Sequence, residues 1–127
     1  MNRVEQLIPD VMKVLKDTFK NGEIPSTYNG YISAFGAGVM MNGLKPTVAM
    51  YENKKADTKE DRAKLTNVIL EVLKKRHSLS GDYKNLLDYI LNYDGKESVL
   101  KKEILDIATA VKLCIRTFKL VKKDKKD

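Results

Sequence analysis

The stretch Ile32-Ser33-Ala34-Phe35-Gly36-Ala37-Gly38-Val39-Met40-Met41-Asn42-Gly43-Leu44-Lys45-Pro46-Thr47-Val48-Ala49-Met50-Tyr51 reads as two helices meeting at a tight corner. Tyr28, Tyr31, Ile32, Phe35 and Val39 recur at steps of three and four, the spacing that lines one face of an α-helix. Asn42-Gly43 is a C-cap signal, because glycine adopts the backbone that ends a helix without steric penalty. Lys45-Pro46 then opens a shorter helix through about Asn53, since the fixed φ of proline suits a first turn. Pro25, with Ser26 as a cap, marks where the longer helix begins. Gly36 and Gly38 each cost roughly 1 kcal/mol relative to Ala inside a helix, which points to a close neighbour.

The same periodicity extends in both directions from the corner. Upstream, Val4, Leu7, Ile8, Val11, Met12, Leu15 and Phe19 form one stripe, with Asn2 and Glu5 spaced as a capping box and Asn21-Gly22 as the stop. Pro9 predicts a kink in this helix, or its reduction over 2–8 to a short preceding turn. Downstream, a polar, lysine-rich loop from Asn53 to Lys59 leads to Thr58 and Asp61, a second capping-box spacing. The helix it opens turns Leu65, Val68, Ile69, Val72 and Leu73 inward and breaks at 78–81. Asp82 caps a fifth helix carrying Tyr83, Leu86, Leu87, Ile90 and Leu91, and Asp94-Gly95 is a turn. The last helix starts near Ser98 and runs through Leu100, Ile104, Ile107, Val111 and Ile115 to Phe118. The fold class is therefore all-α: a compact single-domain bundle of about six helices over 1–121, with 122–127 as a basic tail.

Composition narrows the function classes. Of 127 residues 43% are apolar and 32% charged, which suits a globular protein with a heavily charged surface. Cys114 is the single cysteine, so neither an intramolecular disulfide nor a thiolate zinc cluster is expected. No leader-like or membrane-length apolar run is present, and a cytoplasmic, reducing location is the expectation. Lys and Arg number 24 against 17 Asp and Glu, a formal net charge of +7. Lys112, Arg116, Lys119, Lys122, Lys123, Lys125 and Lys126 concentrate that excess at the C-terminal end, which suits a phosphate-backbone partner, while 122–127 also read as a frayed, solubilising tail.

A catalytic constellation is missing from the pattern. His77, the single histidine, follows Lys74-Lys75-Arg76 at a helix end, where an imidazole faces the negative end of the helix dipole. No His or Cys spacing suits a metal. Asp94-Gly95-Lys96-Glu97-Ser98 lacks the earlier glycine and the hydroxyl directly after Lys that a phosphate loop needs. Asn92 and Asp94 likewise lack the other ligands of a calcium loop. The chain is expected not to be an enzyme, and no cofactor, metal or small-molecule substrate is implied. Tyr28 and Tyr31 flank Asn29-Gly30 and admit two readings: core packing with the hydroxyls at the rim, or stacking on single-stranded bases.

The segments 32–35, 39–44 and 47–51 resemble the signature of the small α-helical subunit of the Cmr-type (type III-B) CRISPR RNA-silencing complex. In that family a helix ends in an Asn-Gly-Leu corner, a second helix of the Thr-Leu-Ala-Phe kind follows, and lysines come soon after. Asn42-Gly43-Leu44, Thr47-Val48-Ala49-Met50 and then Lys54-Lys55 occupy those places here. Ile115-Arg116-Thr117-Phe118-Lys119 resembles the basic-aromatic end of the family's last helix. The chain departs at Phe35-Gly36, where the family often has Leu-Pro, at Lys45-Pro46, where it often has Gly, and at Met50, where Phe is usual.

The resemblance implies a non-catalytic subunit, several copies of which stack along the effector beside larger subunits that hold the CRISPR RNA. Together they form a basic channel for guide and target RNA in antiviral defence. The cations it singles out are Lys45, Lys54, Lys55, Arg116 and Lys119, which would meet phosphates without reading bases. Two other classes compete. One is a helical protein–protein adaptor that ignores nucleic acid. The other is a helix-turn-helix DNA regulator, disfavoured because Thr47, Val48, Met50 and Tyr51 offer few base-reading groups.

Overall fold

A computed structural model describes residues 2–53, 58 and 60–122. In chain order the elements are α1 (Arg3–Thr18), β1 (Glu23–Pro25), α2 (Thr27–Asn42), α3 (Leu44–Tyr51), α4 (Ala63–His77), α5 (Leu86–Leu91), α6 (Glu97–Ile115) and β2 (Lys119–Val121). The all-α reading holds, with one addition: β1 and β2 pair in parallel, Glu23 opposite Lys119 and Pro25 opposite Val121. Alternation cannot announce strands of three residues. As a result, Pro25 ends a strand rather than starting a helix, and α6 stops at Ile115 rather than Phe118.

α1 is capped as its sequence predicts, Asn2 Oδ1 accepting from the Glu5 N–H and Glu5 Oε1 from the Asn2 N–H. The helix is continuous from Arg3 through Pro9, so residues 3–8 are not a separate turn. Pro9 removes one hydrogen bond to the Glu5 carbonyl, and both residues are exposed, where water can replace it. Leu7, Val11, Val14 and Leu15 face the core, which α6 completes with Leu100, Ile104, Ile107, Val111 and Ile115. Each such side chain contributes about 1.5–3 kcal/mol on burial.

The corner forms as expected and is tighter than the sequence suggested. Gly43 alone separates α2 from α3: its N–H donates to Val39 O at 3.0 Å and its carbonyl accepts from Thr47 N at 3.4 Å. Its φ of 99° and ψ of 161° belong to a region that side chains bar. Gly38 admits the close neighbour: a Cβ there would lie 3.1 Å from Thr47 Cγ2, whereas Gly36 faces open space.

The tyrosines take the packing role. Tyr28 is buried and donates to Asp61 O at 2.9 Å, Tyr51 donates to Tyr31 O at 2.7 Å, and the Tyr31 hydroxyl accepts from Glu60 N at 3.1 Å. These bonds hold the approach to α4, which starts at Ala63. The predicted Thr58–Asp61 capping box does not form. Instead Thr58 Oγ1 donates to Glu60 O, and Asp61 Oδ1 accepts from the Ala63 N–H. α5 likewise starts three residues later than predicted, capped by Asn85 rather than Asp82. Asn85 caps Asp88, and the Glu52 carboxylate, arriving from the end of α3, accepts from Leu86 N and Leu87 N at 3.1 and 3.3 Å. Leu91, expected inward, is 61% exposed because so short a helix presents only Leu86, Tyr89 and Ile90 to the core.

Gly43→Ala is expected to lower unfolding free energy by about 1–3 kcal/mol through backbone strain, read as a shift in the urea midpoint. Burial pushes the Tyr28 and Tyr51 hydroxyls above the usual tyrosine range, with Glu60 and Asp61 reinforcing the effect at Tyr28 and Arg62 opposing it at Tyr51. Values raised on folding leave stability intact below the unfolded tyrosine pKa and erode it as pH rises toward the folded value. The urea midpoint should therefore fall above about pH 10, and less steeply in Tyr28→Phe.

Candidate nucleic-acid interface

α1 and α6 lie side by side and point the same way. Arg3 Nε meets Asp106 Oδ2 at 3.0 Å near one end, and the Thr117 hydroxyl lies 3.7 Å from Met12 Sδ further along. Both helices therefore finish at the same end of the molecule, where β1 and β2 pair through Lys119 N to Gly22 O and Ser26 N to Val121 O. Lys16, in the last turn of α1, and Lys20, just beyond it, belong to the same end of the molecule as Lys112, Arg116, Lys119 and Lys122, with Asp17 and Glu23 as the acidic residues of the same segments.

Arg116, the C-cap of α6, is exposed and has no ion-pair partner among the described residues. Lys119 stands opposite Glu23 across the strands, Nζ 3.6 Å from Oε2. Both side chains are exposed, so the pair is worth at most about 1 kcal/mol and leaves the ammonium open to a stronger anion. Lys112 and Arg116 also complement the negative end of the α6 dipole, which gives them a structural role as well.

The other expected site residues fall elsewhere. Lys45 lies 3.1 Å from Glu97 Oε1, at the start of α6. A helix of 19 residues at about 1.5 Å per residue separates it from Arg116 by about 28 Å. Lys54 and Lys55 lie outside the described residues. The structure thus brings Arg116 and Lys119 together and leaves Lys45 apart. Lys16 and Lys20 were missed: both were visible as cations near a helix end, but that this end is shared with residues a hundred positions later was not.

The remaining chemistry-bearing groups are engaged in structure. His77 Nε2 lies 2.9 and 2.8 Å from the two Glu103 oxygens, and this ties α4 to α6. A cleft of about 290 Å³ is lined by Glu52, Asp61, Lys64, Asn67, Lys84 and Asn85. Its two carboxylates already occupy the N–H groups that open α4 and α5. Among the described residues no three His, Cys, Asp or Glu side chains converge as metal ligands, and no helix is long and apolar enough to cross a membrane. Cys114 is buried and its thiol pKa is pushed up by burial. It is expected to react with a thiol reagent only once urea unfolds the chain; fast labelling of the native protein at neutral pH would contradict this placement.

No curated protein and no solved structure matches the chain. Residues 2–117 match the family described as CRISPR-associated protein (Cas_Cmr5). The helical body, the glycine corner and the match over nearly the whole chain agree, and the chain belongs to this family of small subunits of Cmr-type (type III-B) CRISPR complexes.

Proposed function

We propose that this chain is a non-catalytic, cytoplasmic subunit whose copies stack along a type III-B effector and whose basic end helps to line a channel for guide and target RNA. The observation that supports this most is the exposed pair Arg116 and Lys119 beside Lys16, Lys20 and Lys122, on a member of a CRISPR-associated family. Backbone phosphates are the partner such a surface suits, since guide-directed recognition asks the protein to hold RNA without reading it. Lys45, Lys54 and Lys55 are proposed as further contacts, with Lys45 exchanging Glu97 for phosphate. The outer face of α2 supports the packing role. Ser33, Ala34, Ala37, Met40 and Met41 are exposed, and the helix carries no charged residue. Adaptable methionines and small side chains suit contact with a neighbouring subunit, and a head-to-tail contact between copies extends into a stack.

In a reconstituted complex, Arg116→Glu with Lys119→Glu is expected to weaken single-stranded RNA binding. Each lost phosphate contact should reduce the slope of log affinity against log salt by about 0.7. Lys45→Glu should do so independently. Unchanged affinity and slope, with assembly insensitive to nuclease and salt, would instead identify a protein adaptor.

A further inference from the structure

A cleft of about 460 Å³ opens between the first turns of α1, the last turn of α4 and the first half of α6. Its floor is aliphatic: Leu7, which is buried, and Val99, which is 58% exposed despite its apolar side chain. Arg3, Arg76 and Lys102 stand around it with Glu103 and Asp106. A second hollow of about 380 Å³, lined by Asn2, Arg3, Val4 and Asp106, lies across the Arg3–Asp106 pair. The two share Arg3 and Asp106 as the common wall of one groove, and that surface ion pair is worth no more than about 1 kcal/mol.

The bonding in the groove is unbalanced. Arg3 reaches Asp106 through Nε, and Arg76 Nε lies 3.7 Å from a Glu103 oxygen that His77 also takes at 2.8 Å. The terminal amino groups of both guanidiniums, and the Lys102 ammonium, have no partner among the described residues. Arg3 and Arg76 each stand against one carboxylate, Asp106 and Glu103, so the surplus charge of the lining is the Lys102 cation. Guanidinium forks match carboxylates in pairs of hydrogen bonds. Among the described residues no aromatic ring lines the cleft, and its apolar part, Leu7 and Val99, suits a branched side chain, which a phosphate backbone does not supply.

We propose that this groove docks an acidic, aliphatic segment of a neighbouring protein subunit, with carboxylates on Arg3, Arg76 and Lys102 and an aliphatic side chain over Leu7 and Val99. The proposal rests on membership of a multi-subunit assembly and not on the RNA contact. Its test is Val99→p-benzoylphenylalanine in the reconstituted complex, with Ser98 as a second probe position, followed by irradiation and sequencing of the crosslinked peptide. The expected product joins this chain to a segment of a different subunit in which Asp or Glu flanks Leu, Ile, Val or Met. Lys102→Glu, an exposed change that should leave the melting temperature of the free subunit unaltered, should lower the yield about tenfold. Arg116→Glu should leave it unchanged, which separates this site from the RNA reading. Crosslinks to RNA, to another copy of this chain or to a basic segment, or an assembled complex without a crosslink, would overturn the proposal.

Discussion

The parallel packing of α1 on α6 is the contact on which the other arrangements depend. It joins the first helix of the chain to the last, burying Leu7, Val11 and Leu15 among Ile104, Ile107, Val111 and Ile115. Because the two helices end side by side and point the same way, the segments leaving them emerge together. The three-residue strands β1 and β2 therefore pair in parallel, with nearly the whole chain between them serving as the crossover that parallel strands need. A pair so short is marginal alone, and here it stands on a helix pair already in register. The direction of α1 against α6 thus decides both the small sheet and the gathering of Lys16 and Lys20 with Arg116 and Lys119.

Polar groups at the edge of this core fix what the apolar contacts leave open. Tyr28, Tyr31 and Tyr51 place rings in the interior, while their hydroxyls bind the backbone of 31 and of the segment entering α4. Arg62 closes the same junction, donating to Met50 O and lying 4.7 Å from the centre of the Tyr51 ring. Glu52 does comparable work at α5, supplying from α3 the acceptors that a six-residue helix needs at its first turn. Unlike the interchangeable leucines, these bonds specify one arrangement of the short helices around the long ones.

The surface has three characters on one body. The end where α1 and α6 finish is basic, the outer face of α2 is uncharged, and the groove between α1, α4 and α6 combines an aliphatic floor with underused cations.

Much of this was legible in the residues. Steps of three and four marked five of the six helices, Lys45-Pro46 marked the short third one, and Asn42-Gly43 announced the corner because only glycine tolerates its backbone. The Asn2–Glu5 spacing likewise predicted a cap that forms. Local patterns carried this information because helix periodicity, capping and φ preference act within a few residues. The strands, the late start of α4 and α5, the cap from Glu52 and the His77–Glu103 tie depend on residues tens of positions apart. So does the candidate interface: the C-terminal cation excess could be counted from the chain, but its separation from Lys45 and its union with Lys16 and Lys20 follow from how α6 lies. The sequence by itself determined which segments are helical and that their surface is basic. Only the tertiary packing, by setting the direction of α1 against α6, decided which charges lie at the same end of the molecule.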